Sequence, residues 1–228
     1  MALAGRGMIE QLLPSGVAVG ETLTELPEPL FPEEEAAVAR AVAKRRDEFR
    51  SVRACARTAL AQLGLERQAM VPGVRGAPPW PPGVVGSLTH CAGYRAAAVT
   101  RVDRLASLGI DGEPHAPLPD GVIRIVSLPE EREELSRLAR DRPDVCWDRL
   151  LFSAKESIYK AWFPLAGTWL GFEDARLTVD PVAGTFSADL LVTGPTVGDR
   201  PLTGVRGRWL VRHGLVLTAV TVPAGDVG

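Results

Sequence analysis

The chain has 228 residues, with 26 basic and 28 acidic side chains and a formal net charge of −2 at pH 7. This length allows one large domain or two smaller ones, and either arrangement can bury a hydrophobic core. The nearly balanced charge gives no overall field that would attract a polyanion, so any binding of phosphate groups must depend on a local cluster. Nucleic acid is therefore not the expected partner.

The three cysteines are odd in number and show no Cys-x-x-Cys spacing: they are Cys55, Cys91 and Cys146. This pattern argues against a disulfide framework and against a cysteine metal site, and it predicts free thiols in a reducing compartment. The first ten residues contain Arg6 and no extended apolar run, and no later apolar run approaches ~18 residues. We therefore expect a soluble, cytoplasmic protein with no membrane segment.

The N-terminal part of the chain predicts an extended segment followed by a helical region. Residues 13–30 are rich in Pro, Gly, Thr and Glu, which favours extended chain with one short strand. Pro32 then suits the first turn of a helix, three glutamates follow it, and Gly64 is placed to end the helical region. A break into two helices is expected near residues 44–47.

Arg45 occupies a position in the apolar stripe of this helical region, next to a set of cationic residues. The members of that set are Lys44, Arg46, Arg50, Arg53 and Arg57. A guanidinium near a core face usually has an anionic partner, because an unpaired buried charge is costly. The alternative is a solvated basic face, on which the stem of Arg45 lies along apolar surface and its charge reaches water.

Residues 71–82 are dense in Pro and Gly and predict a rigid loop around Trp80. Two strands are expected next, at residues 84–88 and 94–99, because both segments have β-type composition. The turn predicted between them would present backbone amides and the His90 imidazole to an anion. The alternative is that His90 is only a hydrogen-bonding surface group.

Residues 108–110 predict the end of a third strand, which leads into Asp111, Gly112 and Glu113. Residues two apart share a face of a strand, so the two carboxylates should project together, while Gly112 allows a ligand or backbone to approach and Pro114 ends the ladder. Neighbouring carboxylates favour Mg²⁺, which needs only one or two of them besides waters and substrate phosphate oxygens. The alternative is an acidic turn without function.

The second half of the chain predicts helices followed by strands. A strand is expected at residues 122–126 and a charged helix at 129–140. Antiparallel strands or hairpins are expected at residues 175–179, 187–192, 202–212 and 215–222. Helices followed by strands thus occur twice, which predicts an α+β protein of two related halves, although we see no convincing sequence repeat. We place these subdomains at residues 1–110 and 111–228.

Residues 152–162 predict a helix with two chemically different faces. The apolar face carries Leu151, Ala154, Ile158, Ala161 and Leu165. The other face carries Phe152, Lys155, Glu156, Tyr159, Lys160 and Phe163. One carboxylate thus lies among two ammonium groups and several rings, which is more than solubility requires. The alternative is a surface helix stabilised by a Glu156–Lys160 ion pair.

Three motifs in this order carry a resemblance to a known family: Gly-Ser-Leu-Thr-His at residues 86–90, Gly-Ile-Asp-Gly-Glu at 109–113, and Phe-Ser-Ala-Lys-Glu at 152–156 with Lys160. The chain resembles the phosphopantetheinyl transferases of the Sfp/EntD type, and most closely their actinobacterial, mycobacterial-type members. The resemblance implies a monomeric pseudodimer of two similar α/β subdomains, each an antiparallel sheet with packed helices, with the active site at their interface. It also implies transfer of 4′-phosphopantetheine from coenzyme A to a serine hydroxyl of acyl or peptidyl carrier proteins, with Mg²⁺, releasing adenosine 3′,5′-bisphosphate.

The same resemblance assigns roles to individual residues. Asp111, Glu113 and Glu156 would be the metal ligands, and Glu156 would also be the base for the carrier serine, assisted by Lys160. The implied coenzyme A contacts are Arg45, Arg53 and His90 for the 3′-phosphate, Arg75, Gly76 and Pro78 near the adenine, Lys155 and Lys160 for the transferring phosphate, and Phe152, Tyr159 and Trp169 along the pantetheine arm. Thr89 is a further implied contact of the cofactor.

Two departures from the family pattern affect these assignments. Residues 76–78 are Gly-Ala-Pro where many relatives have Gly-Lys-Pro, so a cation near the nucleotide is missing unless Arg75 replaces it. Gly112 has no side chain to offer a metal, so water or backbone would have to fill that place. Two other functions stay open: a non-catalytic binder of nucleic acid or nucleotide through the basic helix, and a metal-dependent phosphohydrolase acting on coenzyme A.

Overall fold

The computed structural model describes residues 7–73 and 76–225, and within these ranges the chain forms five α-helices and ten β-strands. The helices are α1 (Pro32–Val38), α2 (Ala43–Gln62), α3 (Val122–Val126), α4 (Pro129–Asp141) and α5 (Trp147–Ala166). The strands are β1 (Ala18–Thr22), β2 (Val84–Cys91), β3 (Tyr94–Arg101), β4 (Leu105–Pro114), β5 (Ala175–Asp180), β6 (Thr185–Leu190), β7 (Thr196–Val197), β8 (Arg200–Pro201), β9 (Gly204–Arg212) and β10 (Leu215–Pro223). All described strand pairs are antiparallel, which confirms the predicted α+β class.

The first sheet has the strand order β1-β3-β2 and is covered by α2. The apolar side of α2 packs on Ala97 and Val99 of β3 and buries residues such as Ala56 and Leu60. The helix approaches β1 so closely that a Cβ on Gly20 would lie 2.2 Å from the Cys55 carbonyl oxygen. The predicted short first strand is therefore confirmed, and a glycine is required where the helix backbone crosses it.

The break between the first two helices lies at residues 39–42, before the predicted position. Residues 44–47 instead form the first turns of α2, and the side chain of Arg45 is 54% exposed there. Its predicted place in the apolar stripe is therefore wrong, because this end of α2 leaves Arg45 mostly in solvent. The guanidinium that is buried with carboxylate partners is that of Arg57, which pairs with Glu28 and Glu34.

The β2–β3 hairpin is longer than the sequence predicts. Residues 89–91 belong to β2 and pair with residues 94–96 of β3, so the turn has only two residues and ends at Gly93, whose φ is 77°. A positive φ suits a tight hairpin turn, which allows the ladder to continue to the end of both strands. The predicted anion-binding turn is therefore wrong, and the side chains of Thr89 and His90 face the cleft from within β2 instead.

The second sheet has the strand order β4-β10-β9-β6-β5, and α5 packs on β4 and β10. The predicted apolar face of α5 is confirmed, since Leu151, Ala154, Ile158 and Ala161 are at most 1% exposed. A Cβ on Gly109 would lie 1.9 Å from the Ser157 carbonyl oxygen, so the helix backbone rests directly on β4.

The two sheets meet where β2 runs beside β4, and side-chain hydroxyls join them there. The Ile110 amide donates to the Ser87 hydroxyl at 3.1 Å, and the Gly112 amide donates to the Thr89 hydroxyl at 3.0 Å. This contact brings the strand that carries His90 next to the strand that carries Asp111. The predicted subdomain boundary after residue 110 falls inside β4.

The predicted strand at residues 122–126 is wrong, because this segment is the short helix α3. The charged helix at 129–140 and the four later strands are confirmed, with ends shifted by up to two residues. All three cysteines are free. Among the helices in the described ranges, none is both long and apolar enough to cross a lipid bilayer.

Candidate active site

Two adjoining cavities lie between α2, β2, β4 and α5. The first, of about 280 Å³, is the cationic compartment, and its polar lining consists of Arg45, Arg53, Thr89, His90, Asp111 and Lys160. The second, of about 330 Å³, is the apolar compartment, and its lining includes Pro78, Trp80, Glu156, Tyr159, Phe163 and Pro164. Gly76, Leu88 and Lys160 border both compartments, so they form one bipartite cleft. A wider groove of about 840 Å³ over β5, β6 and β9 contains none of the motif residues.

Asp111 is the most firmly held carboxylate of the cleft. It is 4% exposed, and Lys160 Nζ donates to its Oδ1 at 2.6 Å. The Thr89 hydroxyl donates to the same oxygen at 3.2 Å, and the Ser153 hydroxyl donates to Oδ2 at 2.8 Å. Ser153 also lies 3.0 Å from the Thr218 hydroxyl, so two strands and α5 together fix the Asp111 carboxylate.

Glu113 shares the face of Asp111, as predicted, and Arg149 anchors it. Arg149 Nη1 donates to Glu113 Oε2 at 2.9 Å, while its Nε donates to the Ala116 carbonyl and its Nη2 to the Pro117 carbonyl, at 2.9 Å each. Burial raises the pKa of the Glu113 carboxyl, the nearby Asp111 raises it further, and Arg149 opposes both effects. Sequence reasoning missed Arg149; its position one helical turn before Ser153 in α5 is the only signal that could have pointed to it.

Glu156 is half-buried and lines the apolar compartment. It accepts no hydrogen bond from any of the residues that the structure describes. Burial raises the pKa of its carboxyl, and Asp111 adds to that effect, while the Lys160 ammonium lowers the pKa. The carboxylate is thus a stronger base than an ordinary glutamate and is open to a proton donor from outside the chain.

Arg45 and His90 meet at the mouth of the cationic compartment. Arg45 Nη1 lies 2.8 Å from His90 Nε2, a contact that requires a neutral imidazole with Nε2 as the acceptor. Burial lowers the pKa of His90, and the Arg45 charge lowers it further, against the opposing effect of Glu48. The structure thus brings together two residues that are 45 positions apart and were both predicted to bind an anion.

Arg53 lines the same compartment from a buried position. Its Nε donates to the Met70 carbonyl at 2.8 Å, and its guanidinium lies 4.1 Å above the Phe49 ring. Burial lowers the pKa of Arg53 to about 10. Arg53 therefore holds the backbone at Met70 as well as lining the compartment.

Lys155 does not join this group, in contrast to its predicted contact with the transferring phosphate. Its Nζ donates to Glu131 of α4 at 2.8 Å and to the Phe172 carbonyl at 2.7 Å. The Lys155 side chain is 2% exposed, so its charge is neutralised inside the protein. Lys155 lies apart from the cleft because α4 packs against α5 on the side to which Lys155 points.

The aromatic residues predicted along the pantetheine arm are divided between two surfaces. Tyr159 lines the apolar compartment, and its ring lies 4.7 Å from that of Trp169. Phe152 is outside the lining and packs 6.0 Å from Phe172. The sequence predicts only a loop around Trp80, although its ring lines the apolar compartment and its Nε1 donates to the Gly86 carbonyl.

Gly76 borders both compartments and Pro78 borders the apolar one, while Arg75 lies outside the described residues. Gly112 has a different role from the one predicted. A Cβ there would lie 3.0 Å from side-chain atoms of Leu217 and Tyr94, on the face of β4 opposite Asp111. No side chain at this position would reach the two carboxylates, because successive residues of a strand point to opposite faces.

Nowhere in the described part of the chain do three His, Cys, Asp or Glu side chains gather closely enough to hold a metal ion by themselves. Asp111 nevertheless acts electrostatically on both Glu113 and Glu156, and the only ammonium in direct contact with any of the three within that part is Lys160. The cleft therefore combines clustered carboxylates with a cationic and an apolar lining, a combination suited to moving a phosphate-linked group.

Comparison with known proteins identifies the class. The family model of the 4′-phosphopantetheinyl transferase N-terminal domain matches residues 33–100, and that of the 4′-phosphopantetheinyl transferase superfamily matches residues 107–196. The chain belongs to this superfamily, and its activity is that of a phosphopantetheinyl transferase. The two matches also fit the predicted arrangement of two subdomains.

The curated relatives agree with this assignment. The chain is 60% identical to 4′-phosphopantetheinyl transferase Svp of Streptomyces mobaraensis, over 96% of this chain and 91% of that protein. It is 52% identical to 4′-phosphopantetheinyl transferase PptT of Mycobacterium tuberculosis, over 84% of this chain and 86% of that protein. It is 33% identical to enterobactin synthase component D of Salmonella typhimurium, over 78% and 72% respectively. The predicted actinobacterial likeness is thus confirmed.

Proposed function

We propose that the protein transfers the 4′-phosphopantetheine group of coenzyme A to a serine hydroxyl of acyl and peptidyl carrier proteins and releases adenosine 3′,5′-bisphosphate. The observation that carries this proposal is the bipartite cleft, whose cationic and apolar compartments meet at Lys160. Coenzyme A has the same two chemistries, since a phosphorylated nucleotide is joined through a diphosphate to an uncharged arm.

The cationic compartment suits the 3′-phosphate, with Arg45 and His90 at its mouth and Arg53 behind them. Gly76 and Pro78 border the space next to it, which suits the adenine. The arm then passes Tyr159, whose ring is backed by Trp169. A cleft with apolar walls and a few charged groups is the usual form of a cofactor site.

The reaction needs a base, a nucleophile and neutralisation of phosphate charge. In the proposed step, Glu156 takes the proton of the carrier serine, and the serine oxygen attacks the phosphorus next to the pantetheine arm. The bond from that phosphorus to the bridging oxygen breaks, and the electron pair leaves with adenosine 3′,5′-bisphosphate. Lys160 lies where its ammonium can offset the charge on the phosphate oxygens, and the raised pKa of Glu156 supports its role as the base.

Asp111, Glu113 and Glu156 are the residues that would hold Mg²⁺. Their carboxylate oxygens are the hard donors that this ion prefers, and Asp111 raises the pKa of both other carboxyls, so a cation among them would relieve their repulsion. When bound, the ion supplies positive charge to the oxygens of the transferring phosphoryl group.

The decisive experiment is the intact mass of an apo carrier protein after incubation with the enzyme, coenzyme A and Mg²⁺. We expect the carrier to gain one phosphopantetheine group, and we expect Glu156→Gln and excess chelator to abolish that gain. Glu130→Gln is the matched control, because Glu130 is an exposed glutamate on α4 and should be inert. Cleavage of coenzyme A with an unmodified carrier would indicate a phosphohydrolase instead.

A further inference from the structure

Glu131 and Lys155 form a fully buried ion pair close to the cleft. Their side chains are 1% and 2% exposed, and the Lys155 Nζ lies 2.8 Å from Glu131 Oε2. Oε2 also accepts the Leu128 amide, and Oε1 accepts the Leu177 amide, each at 2.7 Å. The carboxylate thus ties α4, α5 and β5 together and has partners for both of its oxygens.

Lys155 extends this network to the segment that connects α5 to β5. Its Nζ donates to the Phe172 carbonyl at 2.7 Å. Residues 167–174, the aromatic segment, begin at the left-handed Gly167 and carry two rings that touch α5. The Trp169 ring lies 4.7 Å from Tyr159, and the Phe172 ring lies 6.0 Å from Phe152. Lys155 therefore fastens the backbone of this segment at the same residue whose ring packs on α5.

An ammonium in this position is poorly suited to bind a phosphate. To reach a ligand, Lys155 would have to leave Glu131 as an unpaired charge in the protein interior, and it would also have to release the Phe172 carbonyl. The lysine that is placed to act on a ligand is Lys160, which pairs with Asp111 but whose side chain is 27% exposed and borders both compartments.

We infer that Glu131 and Lys155 are positioning residues, which hold the aromatic segment against α5 so that the wall for the pantetheine arm is formed before coenzyme A binds. The inference rests on the proposed function, because it assigns the arm to the apolar compartment, which Tyr159 lines with the Trp169 ring against it. A wall that is already ordered spares the ligand the entropy cost of ordering it. Substitution of either residue of the pair should therefore weaken the binding of ligands that have the pantetheine arm and leave the binding of ligands without it unchanged.

Calorimetric binding of coenzyme A and of adenosine 3′,5′-bisphosphate, which has no arm, tests this inference. We expect Glu131→Gln and Lys155→Met each to weaken coenzyme A by roughly three- to tenfold, the scale of ordering a few side chains. Both variants should bind adenosine 3′,5′-bisphosphate within about twofold of the wild type, and the double variant should be little worse than the poorer single variant. Glu130→Gln, the exposed neighbour on α4, is the control and should change neither ligand.

The opposite pattern overturns the inference. If Lys155 instead contacts the transferring phosphate, which coenzyme A has and adenosine 3′,5′-bisphosphate lacks, Lys155→Met weakens coenzyme A binding while Glu131→Gln, which frees the lysine, preserves or improves it. Unchanged coenzyme A affinity in both folded variants overturns it as well. Should either variant fail to fold, Glu131→Asp keeps the charge but shortens the reach, and a loss confined to coenzyme A again supports the inference, whereas any other result overturns it. Failure of the proposed function is distinct, because the wild-type protein would then leave the apo carrier protein unmodified, whatever its affinity for coenzyme A.

Discussion

Arg45 and Arg53 line one compartment, yet their surroundings give them different roles. The Arg45 side chain is 54% exposed and contacts His90, whereas Arg53 is 4% exposed and also binds the Met70 carbonyl. The sequence predicts that both face the nucleotide, but it cannot show which of them also supports the fold. A substitution of Arg53 would disturb the backbone at Met70, so Arg45 gives the cleaner test of the 3′-phosphate assignment.

We expect Arg45→Ala to weaken coenzyme A binding by about ten- to a hundredfold, because a charge-assisted hydrogen bond to a phosphate contributes roughly 1.5–3 kcal/mol. Dephospho-coenzyme A lacks the 3′-phosphate and should be bound almost equally by variant and wild type. The measurement is calorimetric titration with both ligands, and Arg46→Ala, an exposed arginine on the same turn of α2, is the control. Equal losses for the two ligands would mean that Arg45 serves another part of the cofactor.

His90 makes coenzyme A binding depend on pH. Because burial and Arg45 lower the pKa of His90 below 6.5, the imidazole is neutral at pH 7 in the free protein. A bound phosphate favours the protonated ring, so binding takes up a proton and affinity should rise as the pH falls from about 8 to about 6. The 3′-phosphate itself titrates near pH ~6, so the quantity to measure is the difference between wild type and His90→Asn. Identical pH profiles for the two proteins would contradict this assignment.

The lowered pKa of His90 also determines how the stability of the ligand-free protein changes with pH. The unfolded chain binds the His90 proton more readily than the folded chain, so this residue makes the protein less stable at low pH. Stability should increase as the pH rises through the lowered pKa toward 6.5. Urea unfolding across this range, compared with His90→Asn, measures the contribution.

The close contact between β4 and α5 places the carboxylates of the site. The Ser157 carbonyl leaves no room for a Cβ on Gly109, and Ser153 of the same helix holds Asp111 two residues further along β4. A separation of the helix from the strand would therefore also move the hydrogen bonds that fix Asp111.

We expect Gly109→Ala to lower the free energy of unfolding by about 1–3 kcal/mol or more, as overpacking a close contact does. Transfer activity should fall as well, because Asp111 loses its fixed position. Urea unfolding gives the stability, and Gly73→Ala is the control, since its Cβ would only approach the Ala77 carbonyl to 3.4 Å. The control should stay within about 0.5 kcal/mol of the wild type. A fully stable Gly109→Ala would contradict the contact.

The elements that the sequence predicts well are those with clear periodicity, such as α4, α5 and the four long C-terminal strands. The strand prediction for residues 122–126 is wrong because Val-Ile-Arg-Ile-Val has β-type composition, whereas packing against neighbouring parts of the protein determines its structure. As a helix, the segment turns Val122, Ile123 and Val126 toward the core and leaves Ile125 74% exposed. No local pattern reveals that choice.

Lys155 shows the same limit within the site. It shares the polar face of α5 with Lys160 in the sequence pattern, so the two ammonium groups receive the same prediction. In the structure, Lys155 lies against Glu131 and Lys160 lies against Asp111. Tertiary packing determines which neighbouring element each edge of a helix face contacts. The periodicity of the sequence alone therefore could not distinguish the surroundings of Lys155 from those of Lys160. The shared face of Asp111 and Glu113 could be predicted, because side chains two residues apart in a strand point to the same side.

At the scale of the whole molecule, the cleft exists because two sheets meet at β2 and β4. Ser87 and Thr89 of β2 accept hydrogen bonds from amides of β4, and Thr89 also donates to Asp111. One hydroxyl thus joins the sheets and fixes the carboxylate that lies between them. Both strands can be predicted from the sequence, but β2 and β4 contact each other through side chains. Such contacts leave no recognisable pairing pattern in the sequence. The division of the chain after residue 110 stays a prediction.

The overall charge of the molecule argues against nucleic-acid binding, which is the rival to the transferase function. The net charge is only −2, and the cations of the cleft face nearby Glu48 and Asp111. A protein that neutralises six DNA phosphates would lose about a thousandfold in affinity between 50 and 200 mM salt. We expect coenzyme A binding to change by less than about tenfold over that range, since few charges are involved and most are partly buried.

Duplex DNA of arbitrary sequence should bind far more weakly than coenzyme A at about 150 mM salt, as fluorescence anisotropy would measure. The matched variants are Lys44→Ala and Arg46→Ala, which remove exposed cations of α2 outside the cationic compartment. They should leave coenzyme A binding unchanged, because their charges do not reach the nucleotide, while any residual DNA binding should fall. Tight, steeply salt-dependent DNA binding that these variants destroy would instead make the basic end of α2 a nucleic-acid surface, and Asp111, Glu113 and Glu156 would then have no part in the main function.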